Sequence, residues 1–122
     1  MARSLSLTRR TVGDVLVLDV SGDLVAGKQA DLMRAEMKKA LLDEKAVKML
    51  LNLSQLKRID SIGLAVLVSA IITAGNRGAQ LKLCELRPSI IEVIKAARIP
   101  MVWPVRPTEA RALASFDDAT CI

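Results

Sequence analysis

A chain of 122 residues that is 52% hydrophobic and has two cysteines carries enough apolar material to fold as one domain over residues 1–122, without disulfides or a structural metal. It has no histidine and no tyrosine, which excludes Ser-His-Asp and Cys-His triads, histidine-containing zinc sites and an imidazole general base. The net charge of +5 is spread as mixed sign, with Arg34, Lys38 and Lys39 among Asp31, Glu36 and Asp43, and only 2% of residues are aromatic, so no direct nucleic-acid surface is expected.

Residues 1–10 show no apolar segment followed by a small-residue cleavage site, so no secretory signal is expected, and two lone thiols point to a reducing, cytoplasmic setting. Val15 to Val20 is aliphatic and β-branched between Gly13-Asp14 and Ser21-Gly22, which predicts a strand, with Ser4 to Arg10 pairing to it as a hairpin. From Lys28 to Leu42 the residues Ala30, Met33, Met37, Ala40 and Leu41 recur at helical spacing. Val47 to Leu53 is a nearly continuous apolar run, the pattern of a strand buried on both faces. Ser54 to Arg58 reads as a polar loop, and a second helix then runs from Ile59-Asp60-Ser61 to about Asn76.

Ala79 to Cys84 predicts another strand, with Cys84 buried and inert. Pro88 opens a helix whose apolar face is Ile90, Ile91, Val93, Ile94 and Ala97, and Pro100 closes it. Met101 to Val105 predicts a short strand with Trp103 over the sheet edge, Pro107 to Phe116 a last helix, and Cys121 lies near the terminus. The longest apolar stretch, Ile62 to Ala74, is shorter than the ~20 residues that cross a bilayer, so no membrane insertion is expected. The order β-β-α-β-α-β-α-β-α implies an α/β fold: a mostly parallel mixed sheet with an N-terminal hairpin strand and about four helices.

The junction at Asp60-Ser61 is the most informative place in the chain. Leu64, Leu67, Val68 and Ile71 form one stripe expected to pack on the sheet, while Ile62, Val66, Ser69 and Thr73 point elsewhere and need either an internal cover or a partner. Two readings of the polar pair stand side by side. One is helix capping, a side-chain oxygen accepting from a free N–H of the first turn. The other is a displayed Ser61 hydroxyl that takes a phosphoryl group, tolerated there by the helix dipole and free N–H groups, and adding about −1.5 to −2 charges to an apolar interface. Lys57 and Arg58, just before the site, either attract phosphates or form a solvated loop.

Ile59-Asp60-Ser61-Ile62-Gly63-Leu64, after the strand Met49 to Ser54, resembles the signature of STAS domains, in particular the bacterial anti-sigma factor antagonists. The resemblance extends to Val20-Ser-Gly-Asp-Leu24, to Asn76 to Cys84 and to Arg87 to Ile99, and so covers nearly the whole chain. It implies a binding protein without a cofactor, not an enzyme. Unmodified, such a protein binds an anti-sigma factor that is itself a serine kinase of the GHKL type and so releases the sigma factor; a PP2C-like phosphatase reverses the kinase's modification. The resemblance makes Ser61 the phosphoacceptor and Asp60 an orienting and interface acid. Ile62, Gly63 and Leu64 become a helix start shown to the partner, with Asp23 of the Gly-Asp-Leu motif beside it; the second helix stripe adds Val66 to the expected contact surface. A monomer or weak homodimer is expected. Two departures from the family pattern are Val25, where many antagonists carry a second acid, and the bulky Ile62 after the acceptor.

Two other readings remain open on the sequence. One is an unphosphorylated STAS scaffold subunit of a stressosome-like or transport complex; the other is a small-nucleotide-binding module, which lacks a G-x-x-x-x-G-K-[ST] loop.

Overall fold

The computed structural model describes residues 4–117. β1 (Ser6–Val12) turns through Gly13-Asp14 into β2 (Val15–Leu24), paired antiparallel from Ser6 opposite Ser21 to Val12 opposite Val15. Gly13 supplies the positive φ of +60° that such a two-residue turn requires. α1 (Lys28–Lys38) runs into a π-helical turn at Lys39–Asp43, and β3 (Lys48–Ile59) leads to α2 (Ser61–Asn76). Then follow β4 (Gln80–Cys84), α3 (Pro88–Ala97), the two-residue β5 (Val105–Arg106) and α4 (Glu109–Asp117).

The strands lie side by side in the order β1-β2-β3-β4-β5, parallel from β2 onward. Each crossover therefore advances one place in one direction, which with right-handed connections stacks α1, α2 and α3 on the same face. Strand alternation divides the core accordingly. Leu18, Val20, Met49, Leu51 and Leu53 meet the three crossover helices, whereas Val15, Val17, Leu50 and Cys84 meet Ala112 and Phe116 of α4.

α4 is tied down by polar chemistry as well as by Phe116. Arg10 of β1 donates to both oxygens of Asp19 on β2 at 2.7 and 3.0 Å and pairs with Glu109 at the start of α4, while Asn52 Nδ2 donates to Glu109 at 2.9 Å. Lys82 Nζ donates to the Ser115 hydroxyl at 2.7 Å and lies 4.9 Å from the centre of the Phe116 ring.

Several boundaries differ from the sequence expectation, the largest difference being in β3. Ser54 to Arg58 is the second half of β3 and not a loop. Asp19 pairs with Asn52 but Ser21 with Gln55, and Gly22 with Leu56 but Asp23 with Arg58, so β3 carries an extra residue at two points. Those bulges break the period-2 alternation that marks a strand. The first helix keeps its α form only to Lys38, the last one begins at Glu109, and β5 is confined to Val105–Arg106 because only Leu83 and Cys84 of β4 pair with it. Trp103 packs against the helix-side core. Cys84 is fully buried, and burial pushes its thiol up to about 12, with Glu109 and Glu85 adding to the shift. Cys121 lies outside the described residues.

Candidate functional site

Leu24 and Ile59 end the adjacent strands β2 and β3 in register, and the chain leaves the sheet between them. Asp60 is extended (φ −109°, ψ −175°) and caps α2: its Oδ1 accepts from Gly63 N at 2.8 Å. Its Oδ2 accepts from Ala26 N at 2.9 Å, tying the loop after β2 to the start of α2. Partial burial works against the charged carboxylate, but the N–H groups of Ala26, Gly63 and Ile62 outweigh it and hold the Asp60 pKa below its ordinary value. Capping is therefore the structural role of Asp60. It also means that the first-turn N–H groups of Ile62 and Gly63, expected to be free for a phosphate on Ser61, already face a carboxylate.

Gly63 is buried, and the close approach it allows is internal. A Cβ there would overlap the Leu24 carbonyl oxygen and lie 2.9 Å from Leu24 Cγ, so only glycine lets α2 seat against the end of β2. The same Leu24 carbonyl accepts from Asp60 N at 3.3 Å.

Ser61 and Ile62 are exposed at the first turn, Ile62 to 44%, and Asp60 is half-buried between them and the loop. The other expected contact residues are not at the surface. Gly63 and Leu64 pack inward, and Val66 is 3% exposed, facing α1 instead of solvent. Asp23 is fully buried, with Arg58 Nη1 3.9 Å from its Oδ2. These four residues lie beneath the surface around Ser61 and not on its outer face. The outward face of α2 is Ser61, Ile62, Ala65, Ser69 and Ile72, a displacement of about one residue from the stripe expected. Lys57 and Arg58 line a 240 Å³ cavity with Ser89 and Val93 of α3.

Sequence reasoning missed Ala26, whose backbone N–H holds the second Asp60 oxygen, and Leu24, whose carbonyl makes Gly63 obligatory. Neither contact leaves a side-chain signal. The Asp23 to Arg58 approach was hidden by the bulges in β3. Among the described residues no cluster of three or more His, Cys, Asp or Glu could hold a metal, and no helix is long and apolar enough to cross a membrane.

The parallel sheet with three helices on one face, and a capped helix start between the ends of β2 and β3, is a frame shared with known proteins. The STAS domain family matches residues 6–112, and the chain belongs to that family. It is 23% identical over 103 residues to the anti-sigma F factor antagonist of Paenibacillus polymyxa, covering 84% of this chain and 87% of that one. It is 28% identical over 115 residues to a candidate anti-sigma factor antagonist, BtrV, of Bordetella bronchiseptica, covering 94% and 97%. The Bacillus cell fate determinant SpoIIAA in its phosphorylated form superposes with a TM-score of 0.70 at 17% identity, covering 91% of this chain and 99% of that one. That last likeness is one of fold.

Proposed function

We propose that the protein is an anti-sigma factor antagonist that binds a serine-kinase anti-sigma factor of the GHKL type, releases the sigma factor, and is switched off by phosphorylation of Ser61. The reading rests on the names of its relatives and on one observation in particular: Ser61 carries its hydroxyl at the exposed first position of α2, beside exposed Ile62 and against an Asp60 fixed from both oxygens.

In the switching step the Ser61 Oγ attacks the γ-phosphorus of ATP on the kinase. The new O–P bond forms as the bond to the bridging oxygen of ADP breaks, and the hydroxyl proton passes to a base of the kinase. The product carries about −1.5 to −2 charges at neutral pH. Because Asp60 already engages the Ile62 and Gly63 N–H groups, the phosphate adds to the Asp60 charge instead of being neutralised by the helix start. A partner surface matched to Ile62 would then face two anions beside that side chain, the phosphate and Asp60, where the unmodified protein presents one anion and a hydroxyl. A PP2C-like phosphatase restores the hydroxyl, and no cofactor of the antagonist's own takes part.

The test is intact-mass analysis after incubation with ATP and the anti-sigma factor kinase, beside Ser61→Ala. One added phosphate, missing in the variant, is expected. No added phosphate, with a control substrate modified, overturns the switch and favours an unphosphorylated STAS scaffold subunit.

A further inference from the structure

From Ser61 to Asn76, α2 contains no charged residue. Where it faces α1 the two helices leave a groove of about 150 Å³. Its floor is apolar: Met37 and Leu41 from α1 and the π turn, Val66 from α2. Ser69 and Thr73 form the α2 wall, and Leu42, 44% exposed, closes one end. The α1 rim is cationic. Arg34 and Lys38 stand four residues apart, one turn along the same face, and no carboxylate lines the groove. Arg34 pairs with Asp31 at 3.1 Å, but both are exposed, so that contact holds it weakly. Among the described residues Lys38 makes no ion pair.

A shallow groove with an apolar floor and two cations one turn apart matches one kind of ligand: an amphipathic helix that packs an apolar side chain against exposed Leu42 at the mouth of the groove, above buried Met37, Leu41 and Val66, and carries acids at the same one-turn spacing along its edge. We propose that the α1–α2 groove docks an acidic amphipathic helix of the anti-sigma factor, extending the contact surface that begins at Ser61 and Ile62. This rests on the function proposed above and adds the place and the chemistry of the partner's segment.

A second copy of this chain fits the groove poorly. Pairing groove to groove sets Arg34 and Lys38 against cations, and many of the chain's own acids are already engaged: Asp19 and Glu109 with Arg10, Glu36 and Glu44 with Arg9, Asp14 with Lys48. The occupant's charge also connects the groove to the switch. Ser61 and Ser69 are eight residues apart on α2, about 12 Å along the axis. That is close to the screening length of about 8–10 Å at physiological to 0.1 M salt, so a phosphate on Ser61 repels an acidic helix in the groove, most strongly at low salt.

The experiment measures affinity for the purified serine-kinase anti-sigma factor at low and moderate salt. It compares wild type, Ser61→Asp, the double variant Arg34→Glu/Lys38→Glu, and Lys95→Glu on α3 as a charge control, with each fold checked by circular dichroism. The expected result is a loss of at least about tenfold for the double variant, largest at low salt, with Lys95→Glu near wild type. p-Benzoylphenylalanine in place of Ser69 should then crosslink to an acidic helical segment of the partner. Wild-type binding that is weakened by Ser61→Asp but not by the double variant overturns the groove and leaves the proposed function standing. Equal losses in the double variant and Lys95→Glu, or a crosslink to a segment without acids or to a second copy, overturn it as well. Failure of wild type to bind overturns the proposed function and the groove together.

Discussion

The Asp60 carboxylate accepts the Ala26 N–H at 2.9 Å while its other oxygen caps α2, so one side chain joins the loop after β2 to the helix that carries Ser61. The surface around Ser61 is thereby fixed before any partner arrives, which reduces the ordering cost of binding.

Asp60→Ala removes both contacts and is expected to lower stability by about 1–2 kcal/mol, in the range of a lost N-cap. Because the folded pKa of Asp60 is depressed, its contribution is complete above the ordinary carboxylate range near about 4 and is lost as the pH falls through the lower folded value. Urea denaturation of both proteins as a function of pH checks this. The gap between them should be widest near neutrality and close in acid; a gap that widens in acid contradicts the assignment.

Gly63→Ala forces a methyl group into the Leu24 carbonyl. The expected cost is at or above the upper end of the ~1–3 kcal/mol typical of overpacking, since backbone must move. Thermal denaturation reads it directly, and an unchanged midpoint would show that α2 can shift away from β2.

Ile62→Glu and Val66→Glu should part company. Ile62 is 44% exposed, so its variant folds and loses partner binding; Val66 is 3% exposed against α1, so its variant places a charge in the core and unfolds or loosens the domain. Circular dichroism with a binding titration separates the two, and a Val66→Glu protein as stable as wild type would mean the α1–α2 packing is wrong.

The clamp on α4 is acid-sensitive. Hydrogen bonds from Arg10, opposed by partial burial and assisted by Asn52, hold the Glu109 carboxyl below its usual range. A depressed carboxylate pKa stabilises the fold at neutral pH and ceases to do so as the pH falls through the folded value. Glu109→Gln should therefore cost stability at pH 7 and little near pH 3. Alkylation of Cys84, which α4 covers, should quicken in that variant at neutral pH; the experiment is done in a Cys121→Ser background.

The element order and the parallel sheet are legible because α1 and α3 keep a helical period, the cores of β2, β3 and β4 are short aliphatic runs, and polar or glycine-bearing turns separate them. The second half of β3 is not, since the bulges near Leu53 and Leu56 put consecutive core residues three apart in sequence, and alternation cannot be read across them. The site divided in the same way. Asp60 and Ser61 stood out as polar residues at an apolar helix start, but the facing of α2 was hidden, because a helix without a single charge carries no mark of its solvent side. The spacing alone leaves Val66 open between an internal cover and a partner, and it gives no sign that Ile72 is 52% exposed. Gly63 was visible, but its cause, a carbonyl from a strand 39 residues earlier, is a tertiary fact.

The central claim is that a phosphate on Ser61 breaks a contact that the unmodified protein makes. The most direct measurement is calorimetric titration of the purified anti-sigma factor with unmodified protein and with protein phosphorylated at Ser61. The account predicts tight binding for the first and a loss of at least about 1.4 kcal/mol, tenfold in affinity, for the second. Equal affinities would contradict it.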